Sequence, residues 1–64
     1  MQHISKSDLI AARAALSGAD ANLSRARGVF IKAGYAPGAA AVNALIDRVS
    51  HLLVRIDRAL AAKP

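Results

Sequence analysis

The chain has 64 residues, 55% of them hydrophobic, no cysteine, and nine Lys or Arg against four Asp or Glu, for a formal net charge of +5. This excludes a disulfide framework and any zinc site built on thiolates, and leaves room for one small domain over residues 1–64. No apolar run approaches the roughly 18 residues of a membrane span, and Met1 to Lys6 carries no apolar signal core, so a cytoplasmic protein with no membrane role is expected.

Sixteen alanines beside one Phe, one Tyr and no Trp favour an all-α fold with a core of aliphatic side chains. The first element opens at Ser5, which stands three residues before Asp8 in the spacing of a capping box. From about residue 6 to 33, Leu9, Leu16, Leu23 and Phe30 recur every seven residues, each followed three later by Ala12, Ala19, Ala26 or Ala33. Such a seam predicts a helix packed along its length against another. Ser17 to Asn22 includes Gly18, and a break there would give a monomeric three-helix bundle. The Leu16, Ala19, Leu23, Ala26 register crosses it without a change of phase, and one glycine costs only about 1 kcal/mol in a helix, so a continuous helix is expected.

Gly34 is placed to end this helix, and residues 34–38, with Tyr35, Pro37 and Gly38, read as the turn. Tyr35 is expected to cap the end of the helical core. The second helix is predicted over about 38–62, with Lys63 at its negative end and a seam of Val42, Leu45, Val49, Leu52, Ile56 and Ala59. A short turn folds it back antiparallel. Opposing residue numbers near a sum of 75 pair Phe30 with Leu45 and Leu23 with Leu52.

That pairing leaves Ile46, Leu53 and Leu60 as a surplus apolar row, with Ile10 and Ile31 on the corresponding flank of the first helix. Each exposed aliphatic side chain forgoes roughly 1.5 to 3 kcal/mol of burial. The expectation is therefore a homodimer in which two hairpins form a four-helix bundle through Ile10, Ile31, Ile46, Leu53 and Leu60.

Function is sought in the polar pattern. Arg48, His51, Arg55 and Arg58 are spaced three, four and three, one stripe about 15 Å long. Arg25 and Lys32 are expected towards the same flank, opposite the surplus apolar row. Guanidinium forks suit phosphate oxygens, so these six residues are the candidate contacts of a small regulatory or accessory protein that binds nucleic acid in a bacterial-type cytoplasm. Nothing in the sequence chooses DNA or RNA, and no base-reading motif is present. The alternative is a protein-interaction module, an inhibitor, antitoxin-like partner or assembly adaptor, offering Ile46, Leu53 and Leu60 to another protein.

Asp47 and His51 lack a third ligand, so no metal is expected, and no cofactor motif appears. The five serines have no base on a neighbouring turn and the aspartates are scattered, so no catalytic residue is assigned and an enzyme is not expected.

Overall fold

Ser5 starts the first helix from an extended backbone, φ −71° and ψ 158°, and its Oγ accepts a hydrogen bond from the Asp8 N–H at 3.1 Å. One of the donors that a helix start leaves orphaned is thereby satisfied, while the Asp8 carboxylate lies at the positive end of the helix dipole. The computed structural model describes residues 4–62; His3 and Lys63 lie outside them. It contains two helices, α1 (Lys6–Lys32) and α2 (Ala36–Ala62), packed as an antiparallel hairpin. α1 is unbroken through Gly18, so the chain adopts the continuous helix and not the three-helix alternative.

Helix α1 ends one residue before Ala33, in a geometry that only glycine adopts without strain. Gly34 has φ 73°, its N–H donates to the Ile31 carbonyl at 3.1 Å, and the Tyr35 N–H donates to the Phe30 carbonyl at 2.8 Å. These are the two bonds of a Schellman cap. The apolar contact that accompanies such a cap is made by Phe30 and Tyr35, whose ring centroids are 5.6 Å apart. Tyr35 thus covers the turn end of the hairpin, although 55% of it remains exposed. Helix α2 begins at Ala36, two residues earlier than the sequence suggests, because Pro37 fits a first turn where its missing N–H is not needed.

Gly38 lies where α2 comes closest to the cap. A Cβ there would stand 2.6 Å from Tyr35 Cδ2 and 2.8 Å from Phe30 Cγ, whereas one at Gly28 would meet nothing within 4 Å. Opposite results are therefore expected from one chemical change. Gly28→Ala gains about 1 kcal/mol of helix propensity, and Gly38→Ala loses about 1 to 2 kcal/mol through overpacking that outweighs the same gain. Urea unfolding of the two variants beside the parent checks both signs.

Two side-chain contacts fix the register: Arg13 Nε donates to Asp57 Oδ1 at 2.6 Å and Arg27 donates to Asn43 Oδ1 at 3.0 Å. Both pairs of residue numbers add to 70, five less than the sum predicted, because the turn is shortened to Ala33–Tyr35. Helix α2 consequently presents a different heptad. Val42 is buried and Ile46, Val49, Leu53, Ile56 and Leu60 are half-buried, while Leu45 and Leu52 are 46% and 42% exposed. The two candidate seams share Val42, Val49 and Ile56, and the direction in which α2 leaves the turn decides between their neighbours. Ile46, Leu53 and Leu60, expected as a surplus row, thus belong to the hairpin's own seam, and the surplus is Leu45 and Leu52.

On α1 the seam is the predicted one except at Ala33, which is exposed beyond the helix end: Leu9 is buried and Ala12, Leu16, Ala19, Leu23, Ala26 and Phe30 are half-buried. A hairpin of two helices leaves its seam open above and below, which is why Leu9 and Val42, at 5% and 7% exposure, are the whole of its buried core among the described residues.

Candidate nucleic-acid interface

The two broad faces of the hairpin differ in chemistry. One carries the Arg13–Asp57 ion pair and the Arg27–Asn43 bond across the helices. At about 100° per residue, Ser17, Asp20 and Ser24 of α1 and Ser50 of α2 fall on this side too. The hydrogen bond to Asp57, and then its charge, raise the Arg13 pKa above its ordinary value. Both partners are about half exposed, so the pair serves more to align the helices than to stabilise them. Asp20 Oδ1 is shielded from solvent with no hydrogen-bond partner. Ile31, 62% exposed, stands on this side, and Ile10, 52% exposed, lies towards it. The structure therefore does not bring these two together with Leu45 and Leu52.

On the opposite face Leu45 and Leu52 project from α2 beside the small residues Ala11, Ala15 and Gly18 of α1, all exposed. Arg48 and Arg55 border the leucines on the outer side of α2. The apolar surplus and the arginine stripe are neighbours, not opposite flanks as the sequence suggested.

The six arginines fall into two sets. Arg13, Arg25 and Arg27 are each held by a side chain of this chain, Arg25 by Asn22 on its own helix at 3.1 Å. Arg48, Arg55 and Arg58 make no hydrogen bond or ion pair to another side chain among the described residues. Together with His51 they are exposed along one continuous line of α2. They border two adjoining shallow concavities, one shared with Leu52 and one with Val54. Arg25 and Lys32, seven and fourteen residues beyond Gly18, are exposed at the outer edge of the same face of α1, so within one chain the width of the hairpin separates them from the stripe.

Cations three and four residues apart on one helix repel, each close pair costing a few tenths of a kcal/mol. Arg55 has Arg58 as such a neighbour, so Arg55→Gln is expected to raise stability by about 0.2 to 0.5 kcal/mol. Thermal unfolding at low salt measures this, and the gain shrinks as salt is added. A group that destabilises the free protein yet remains unpartnered is positioned for an external anion.

The sequence found the stripe because its spacing lies within one helix. It did not find the cross-helix contacts of Arg13 and Arg27, which become visible only once the register sum is 70. Among the described residues no group of three or more His, Asp or Glu could hold a metal ion, and no helix is long and apolar enough to cross a membrane. No family model matches the chain, and no curated protein or solved structure proves similar to it.

Proposed function

We propose that this chain is a nucleic-acid-binding accessory protein that works as a homodimeric four-helix bundle and grips the phosphate backbone through Arg48, Arg55 and Arg58, assisted by His51. The observation that carries this reading is the division of the arginines: Arg13 and Arg27 are tied across the helices to Asp57 and Asn43, Arg25 reaches only the neutral Asn22 of its own helix, and those of the α2 stripe have no side-chain partner among the described residues. Three guanidinium groups spread over about 15 Å of helix are within reach of several phosphates of one strand. Recognition is of charge and spacing, because a single exposed helix face with no inserted aromatic offers no device for reading bases.

Fluorescence anisotropy with a short labelled DNA duplex, and with RNA of the same sequence, tests this. Affinity should fall steeply with salt, with these three arginines contributing about −3 to the slope per stripe for duplex DNA, and should depend little on base sequence. Affinity independent of salt, or no binding to either polymer at low salt, contradicts the proposal.

A second reading has its own observation. Exposed Leu45 and Leu52 beside Arg48 and Arg55 form a mixed aliphatic and cationic surface that would suit an acidic amphipathic helix of another protein. This replaces Ile46, Leu53 and Leu60 as the heterotypic surface, because the hairpin already uses them. It predicts a single chain in solution, where the first reading predicts two.

A further inference from the structure

We infer that a second copy of this chain covers the Leu45 and Leu52 face about a twofold axis parallel to the helices, and that the copy supplies Arg25 and Lys32 to each arginine stripe. This rests on the phosphate-binding reading above and adds to it the composition of the site.

The need for a cover follows from area. The chain exposes 4869 Å², against about 3,900 Å² for a folded monomer of its mass by the usual scaling. The excess, about 1,000 Å², is close to the roughly 800 Å² that each partner buries in a standard interface. Of the two broad faces, one carries the half-exposed Arg13–Asp57 ion pair, whose desolvation opposes burial under a second copy. The other carries a ridge, Leu45 and Leu52 of α2, and on α1 the small residues Gly18, Ala15 and Ala11, which run from the level of Leu52 away from Leu45.

Shape then chooses the symmetry. A twofold parallel to the helices lays Leu52 of each copy over the small residues of the other and Leu45 along the aliphatic stem of its Arg25. A twofold perpendicular to the helices within the hairpin plane would set ridge on ridge, and the leucines would hold the small residues of the two α1 helices apart.

The parallel axis leaves axial positions unchanged, so the rule that opposing numbers add to about 70 also holds between copies. Leu52 then lies over the partner's Gly18, between its Ala15 and Asn22. The outer side of α2 and the outer side of the partner's α1 become one lateral wall of the bundle. On that wall the partner's Arg25 lies level with Leu45, one turn from Arg48, and the partner's Lys32 lies two turns further. Each stripe thereby grows from about 15 Å to about 30 Å. Asp47, at the outer edge of α2, is the acidic residue nearest the wall. The six residues that the sequence grouped together are thus reunited, but across two chains.

Sedimentation equilibrium tests the cover without reference to any ligand. The parent and Ile31→Glu should show twice the chain mass of 6.6 kDa, and Leu45→Glu with Leu52→Glu should show it once while remaining helical by circular dichroism. A parent that stays a single chain, or a leucine variant that stays paired, overturns the inference. The absence of native cysteine permits a second test. Oxidising a mixture of Ala15→Cys and Leu52→Cys chains should link unlike chains, whereas Leu52→Cys linking to itself shows ridge on ridge and overturns the axis. Finally, Arg25→Gln with Lys32→Gln should lower the salt slope for the DNA duplex by about two per stripe in the dimer, and an unchanged slope overturns the composite stripe. A dimer that binds neither polymer overturns the phosphate reading, whereas a monomer that binds them overturns only the cover.

Discussion

Replacing Arg48 and Arg55 together by glutamate is expected to abolish measurable binding of the DNA duplex at physiological salt while leaving the helices intact. Each arginine that contacts a phosphate releases about 0.9 of a counterion on duplex DNA, so removing two lowers the salt slope by about two. The glutamates also repel the backbone they replace a contact to, and the affinity near 100 mM salt should fall on the order of a hundredfold or more. Stability should not fall in parallel. Both positions are exposed and unpartnered in the free chain, and removing them relieves repulsion along the stripe. Thermal unfolding and anisotropy on the same samples separate the two quantities. A variant that loses binding only because it has unfolded would contradict the reading of these arginines as a surface site.

Leu9→Ala is expected to have the largest effect on stability, a loss of about 2 to 4 kcal/mol. Leu9 is 5% exposed, the most buried side chain of the hairpin, and it closes the seam one turn from the Ser5 cap. A domain of this size has only about 3 to 10 kcal/mol in total, so this one truncation removes a large share of it. Ile31→Ala, at a side chain 62% exposed on the polar face, should cost less than about 0.5 kcal/mol. Urea midpoints at one fixed protein concentration compare the two, since association links stability to concentration. A similar loss for both would mean that the polar face is covered in solution.

Most of the fold could be read from the heptads, and the departure from it has a single origin. Helix α1, its Ser5 cap and its Gly34 stop were legible because each depends on residues within a few positions of one another. The facing seam was not, because Leu45 and Ile46 are both large and aliphatic, and periodicity alone does not choose between adjacent rows. The choice falls to the turn, where the Schellman cap and the early start of α2 at Ala36 set the direction of the second helix. That rotation carries Ile46, Leu53 and Leu60 into the seam and leaves Leu45 and Leu52 outside. It also moves the apolar surplus next to the arginines. The stripe survived the change because Arg48, His51, Arg55 and Arg58 face outwards in either register. Arg25 and Lys32 were expected beside the stripe but lie on the other helix, with the width of the hairpin between them and Arg48.

On the proposed reading the α2 arginines bind phosphate because of their position and not because the protein is cationic. Two variants of equal net charge test it side by side: Arg48→Gln with Arg55→Gln, and Arg13→Gln with Arg27→Gln, each compared with the parent in a salt titration against the same DNA duplex. The stripe variant should lose about two from the salt slope and bind at least tenfold more weakly, while the Arg13 and Arg27 variant, on the face already occupied by Asp57 and Asn43, should stay within about twofold of the parent, as a change away from phosphate contacts should. Equal losses in the two variants would show that net charge alone is being measured and would contradict the assignment of the site.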